Sequence, residues 1–85
     1  MDATRVIKYP LSTEKSLRLL DVNSMVFVVD LNATKNDVKR AIQSLYETKI
    51  VSVRLMIDPR GNKKAYVDFD EDTPAIDVAT KLGIM

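Results

Sequence analysis

The sequence predicts an α+β fold: a small, mostly antiparallel four-stranded sheet packed with helices, in the order β-α-β-α-β-β-α. Three observations lead to it. Alternating apolar and polar residues flank a turn containing Pro59 and Gly61, the pattern of a β-hairpin with one buried face. Residues 25–29 are apolar without alternation and rich in β-branched side chains, as in an interior strand covered on both sides. Val38, Ala41, Ile42 and Leu45 recur at i, i+3, i+4 and i+7, the buried stripe of a helix. Eighty-five residues suffice for one domain and not two, so residues 1–85 are read as a single domain.

The elements follow in order. Residues 4–8 read as a short strand stopped at Tyr9-Pro10, because proline pushes the residue before it away from helical geometry. Ser12 or Thr13 can cap a short helix to about Leu20, with Leu17 and Leu20 on one face. Residues 21–24 make a turn into the interior strand. Thr34 caps the main helix, and Asp37 suits its first turn. The hairpin register that turns every large apolar residue inward opposes Ile57 to Ala65, Leu55 to Val67 and Val53 to Phe69. It also opposes Asp58 to Lys64, Met56 to Tyr66 and Arg54 to Asp68 outside. Thr73 can cap a last helix with Pro74 at its first position, and Gly83 suits a left-handed stop.

Composition removes several kinds of chemistry. With no cysteine there is neither a disulfide nor a thiolate metal site, and with no histidine the commonest general base is missing. No Gly-rich phosphate loop is present. The acidic run Asp68, Asp70, Glu71 and Asp72 lacks the spacing of a calcium loop and suits a solvated helix start. No cofactor or metal is therefore expected. Neither a secretory signal nor a long apolar run is visible, so a cytosolic protein without membrane insertion is the default expectation.

Charge is unevenly spread. Residues 1–64 carry twelve cations and seven acids, a surplus of five; residues 65–85 carry one cation and five acids, a deficit of four. The net charge of +1 hides this asymmetry, so local patches matter more than the total. Arg60, Lys63 and Lys64 cluster near the hairpin tip, where they can meet phosphates or simply keep a turn solvated.

Four segments in the right order resemble one family over nearly the whole chain. Residues 6–16, with Pro10 followed by Thr13-Glu14-Lys15, look like the amino-terminal signature of ribosomal large-subunit protein twenty-three. Residues 33–41 are similar to its second-helix motif, residues 59–67 to its hairpin, and residues 77–84 to the ending of archaeal members. The short hairpin loop resembles the archaeal or eukaryotic type. The resemblance implies a non-enzymatic rRNA-binding protein of the large subunit near the polypeptide exit tunnel. Implied partners are large-subunit rRNA, neighbouring ribosomal proteins, and factors meeting the nascent chain, such as the signal recognition particle and the translocon. It implies rRNA contacts at Lys8, Lys15, Lys35, Lys39, Arg40, Arg60, Lys63 and Lys64, and partner docking at Glu14. Asp58 and Asp68 stand where relatives commonly carry a hydroxyl and a basic residue, which lowers positive charge around the hairpin. With few aromatics, specificity would come from rRNA shape; Tyr9 and Tyr66 can stack on bases or pack as wet-edged core residues. Two other classes fit the architecture: a small-ligand regulatory module, which needs a glycine loop at a helix start, and an acylphosphatase-like enzyme, which needs an Arg cradle beside an Asn.

Overall fold

The computed structural model describes residues 3–84. Its elements are α1 (Ala3–Val6), β1 (Ile7–Pro10), α2 (Glu14–Arg18) running into a 3₁₀ turn (Leu19–Val22), β2 (Ser24–Val29), α3 (Lys35–Tyr46), β3 (Ile50–Ile57), β4 (Lys63–Phe69) and α4 (Ala75–Lys81). The four strands form one antiparallel sheet in the order β1-β2-β4-β3. The α+β class and the predicted strand-and-helix order hold, with the short α1 turn added in front.

That added turn corrects the reading of residues 4–8 as a strand. Val6 is fully buried and belongs to the helical turn, whose carbonyl accepts the Asp30 amide at 2.9 Å. Only Ile7 onward pairs with β2, and a bulge between Ile7 and Tyr9 leaves Lys8 outside the regular ladder. Burying Val6 beside α3 outweighs the local β preference of a β-branched residue.

One sheet face is closed by helices. Met25, Phe27 and Val29 of β2, Val53 of β3, and Ala65, Val67 and Phe69 of β4 form a core with Val38, Ala41 and Ile42 of α3 and Ala75, Val78 and Ala79 of α4. Phe27 stacks on Tyr46 with ring centroids 6.3 Å apart, and burial raises the Tyr46 phenol above its usual pKa. All six residues of β2 are buried, as expected for an interior strand. Thr34 and Asp37 make a reciprocal capping box at the start of α3, at 3.0 and 3.2 Å. Leu45, expected in the buried stripe, is 40% exposed, whereas Tyr46 beside it packs on the core.

The hairpin register is shifted by two residues from the expected one. Ile57 faces Lys63, Leu55 faces Ala65, Val53 faces Val67, Arg54 faces Tyr66 and Ser52 faces Asp68. Asp58 decides this. Its Oδ1 accepts the backbone N–H groups of Arg60 and Asn62, each at 2.9 Å, and its own N–H donates to the Asn62 carbonyl. Gly61 takes φ +87°, a left-handed conformation glycine adopts without a Cβ penalty. The turn therefore closes over Asp58 to Asn62, and Lys63 and Lys64 stay in the ladder opposite Val29 and Val28 of β2. An even shift preserves the faces, so Val53, Leu55, Ala65, Val67 and Phe69 still turn inward with other partners, while Ile57, expected with them, is 63% exposed at the end of the hairpin.

Asn23 joins the far ends. It sits at φ +60°, and its side-chain amide donates toward the carbonyls of Phe69, Asp70 and Thr73 at 3.0–3.2 Å. Its Oδ1 accepts the Ala75 N–H at 2.6 Å, serving the first turn of α4. Thr73, expected as that cap, instead accepts the Lys49 N–H at 3.0 Å. Gly83, at φ +74°, ends α4 as anticipated.

Candidate nucleic-acid interface

The second sheet face carries the alternate residues of the same strands. Three rows cross it: Ser24, Asp68 and Ser52; Val26, Tyr66 and Arg54; Val28, Lys64 and Met56. The segment through α2 and the 3₁₀ turn lies over part of this face. The Leu11 N–H donates to the Val26 carbonyl at 2.9 Å, which ties the segment down. Thr13 caps α2 by accepting the Ser16 N–H at 3.2 Å, and the buried Ser16 hydroxyl reaches the Leu11 carbonyl at 3.1 Å. The capped turn thus leans against the sheet without covering it.

Between them runs a groove of two joined cavities. The deeper, about 170 Å³, is lined by Leu11, Thr13, Lys15, Ser16, Leu19, Val26, Lys64 and Tyr66. The wider, about 410 Å³, lies between Tyr9 and the hairpin turn, lined also by Val28, Asp58, Pro59, Arg60 and Asn62. Leu11 and Lys64 border both.

The groove's charges are ordered by local partners. Lys64 lies 3.8 Å from Asp58, with only 30% of its side chain exposed. The Asn62 and Arg60 N–H groups, with Lys64, hold the Asp58 carboxyl below its usual pKa. The Asp68 carboxylate accepts from the Ser24 hydroxyl and from the Ser52 hydroxyl at 2.7 Å; these bonds, with Arg54 nearby, lower its pKa. Asp68 is therefore held by two serines, not by the direct Arg54 pairing expected. Arg54 lies over the Tyr66 ring, 5.9 Å from its centroid. Both aspartates are occupied, leaving Lys15 and Arg60 exposed at the groove's edges.

The anticipated contact residues divide between surfaces. Lys15, Arg60 and Lys64 border the groove. Lys35, Lys39 and Arg40 are exposed on α3, in the helical layer on the other side of the sheet. Lys8 is exposed at the β1 bulge. Lys63 turns toward the helical layer, where its ammonium donates to the carbonyls of Ala33 at 2.7 Å and Leu31 at 3.3 Å. Glu14 is exposed and pairs with Arg18 at 3.2 Å, one helical turn on. Sequence reasoning missed Leu11, Leu19 and Val26 as the groove's floor, and Arg54 as the cation lying over Tyr66. The Arg54 signal was present, since alternation already put it on the polar face with Tyr66.

Among the described residues, no three His, Cys, Asp or Glu side chains gather as a metal site, and no helix is long and apolar enough to cross a membrane. Arg60 and Asn62 sit together on the turn, but Asn62 faces the Asp58 carboxylate and forms no cradle around an anion.

Comparison with known proteins agrees with the family resemblance. The family model described as ribosomal protein L23 matches residues 5–76. A curated relative from Trypanosoma brucei brucei, named large ribosomal subunit protein uL23, is 41% identical over 85 residues, covering 99% of this chain and 52% of its own. The chain thus spans about half the length of that relative.

Proposed function

Because the chain belongs to the ribosomal protein L23 family, we propose that it binds large-subunit rRNA through the cationic groove on the open sheet face. The family is one of ribosomal structural proteins, not of enzymes. The observation that carries the reading is Lys15, Lys64 and Arg60 strung along one groove whose lining acid, Asp58, is already held by the turn's N–H groups. Phosphates meeting these side chains release counterions, so affinity falls with salt. The rigid sheet holds the cations at fixed spacing and so selects a folded RNA shape over a base sequence.

Lys35, Lys39 and Arg40 form a second contact surface, facing away from the groove, and Lys8 extends the first along the sheet edge. Two cationic surfaces on opposite sides suit a small protein wedged between RNA segments. Lys63 contributes by fixing the loop before α3. Under this reading the protein sits near the exit tunnel on the ribosome, beside other ribosomal proteins. Glu14 then serves as a docking point for factors such as the signal recognition particle or the translocon. These roles rest on the family resemblance and on the exposure of Glu14 at a capped helix start.

Replacing Lys15, Arg60 and Lys64 together by Ala tests the groove. Binding to a large-subunit rRNA fragment should weaken at least about tenfold, and the slope of log affinity against log salt should flatten by about 2. Far-ultraviolet circular dichroism should stay native. Unchanged affinity and slope would remove the groove from the interface.

A further inference from the structure

Resting on the RNA-binding reading, we infer that the deeper cavity of the groove is a pocket for one unstacked RNA base, with the flanking phosphates held by Lys15 and Lys64. Its floor and walls are apolar: Leu11, Leu19, Val26 and the Tyr66 ring. A groove that only tracked phosphates would have no use for such a floor, whereas every nucleobase has an apolar π-face to bury. The cavity, about 170 Å³, is several times the roughly 30 Å³ share of a water molecule. That is room for a planar heterocycle whose sugar stays at the mouth.

The rim supplies what the rest of a nucleotide needs. Lys15 and Lys64 border the cavity, and the Thr13 and Ser16 side chains border it on the α2 side. Neither nearby acid opposes a phosphate freely: the Arg60 and Asn62 N–H groups hold Asp58, and Arg18 pairs with Glu14. The Tyr66 ring is held in place. It is half-buried in the sheet, and Arg54 lies against it, 5.9 Å from the centroid. A fixed aromatic wall loses little freedom when a base packs on it. Charge complementarity thus selects a nucleotide over a neutral apolar peptide for this cavity.

The full chain should be titrated at low salt with a short oligouridylate and with an abasic oligoribophosphate of equal length. The oligouridylate should bind about tenfold more tightly. Saturating the methyls of Leu19 and Val26 should pass magnetisation to the uracil protons. Leu19→Gln, which makes the floor polar at constant charge, should bring the oligouridylate down to the affinity of the abasic chain and leave the latter unchanged. Tyr66→Leu should do the same, and serves if Leu19→Gln does not fold. Equal affinities for the two oligomers, or no transfer to uracil protons, would overturn the base pocket while the abasic chain's binding still supports a phosphate groove. Shifts of the same methyls by a short acidic, phenylalanine-bearing peptide, with the oligomers equal, would overturn it in favour of a protein partner. If neither oligomer binds, the groove reading fails and the pocket fails with it.

Discussion

The two faces of the sheet are made from the same strands and solve opposite problems. On the helical face, Phe27, Ala65 and Leu55 lie side by side across three strands and face the helical layer. One residue along, Val26, Tyr66 and Arg54 lie on the opposite, open face. Strand alternation lets one stretch of backbone serve a dry core and a wet binding surface without compromise. The difference is in how polarity is handled. The core face excludes it, whereas the open face keeps it and assigns each acid a partner, Asp58 in the turn and Asp68 between two serines. Substitutions on the first face should therefore read out in stability, and on the second in affinity.

The largest contrast should come from Phe27→Ala. Phe27 is fully buried, and its truncation should cost about 3–5 kcal/mol in urea denaturation. Next is Asn23→Gly, which keeps the left-handed backbone but removes the clamp on the loop before α4. A loss of about 1–3 kcal/mol is expected by denaturation. Hydrogen exchange should quicken at Ala75, whose N–H loses its acceptor. Asn23→Ala should cost more than Asn23→Gly, because it loses the same bonds while keeping a Cβ at positive φ.

Lys63 and Lys64 give a sharper comparison, being neighbours that point to opposite faces. Lys63→Ala should lower stability by about 1 kcal/mol while barely changing the salt slope of RNA binding, because its ammonium serves carbonyls before α3. Lys64→Ala should leave stability nearly intact and flatten the slope by about 0.7. The reverse result would mean that the two faces do not divide the work.

Acid should act on the open face and on the α3 cap. Asp37, Asp58 and Asp68 all have folded pKa values below 3.8. Their contribution is fully present above the unfolded value and is lost as pH falls through the lower folded values. Amide signals of Arg60 and Asn62 should therefore move below about pH 3.8, and the Asp58→Asn variant should lack that step. The smallest effect belongs to Glu14→Ala. It breaks an exposed pair with Arg18, so stability should be unchanged, as should incorporation into large subunits. Recruitment of the signal recognition particle to ribosomes carrying it should fall, and equal recruitment would remove Glu14 from docking.

Much of this was legible before any coordinates. Periodicity identified β2 as buried on both faces, α3 by Val38, Ala41 and Ile42 with its Thr34 cap, and the inward set of the hairpin apart from Ile57, because these depend on residues close in sequence. The four ordered motifs also carried the family. Less was legible in the candidate site. The eight anticipated cations were read as one group, but the fold separates Lys15, Arg60 and Lys64 from Lys35, Lys39 and Arg40 and turns Lys63 to internal carbonyls. A cation in a sequence carries no mark of which side of a sheet it will reach.

Local chemistry alone determined which residues alternate, how Thr13 and Thr34 cap α2 and α3, and how Asp58 closes the hairpin turn, since neighbours along the chain supply those hydrogen bonds and steric limits. Tertiary structure alone decided the partners: Val6 joining a helix instead of a strand, and Asn23 holding a loop some fifty residues away. Such choices depend on which distant groups are left needing a bond or a cover once the core has closed. No local pattern records that outcome.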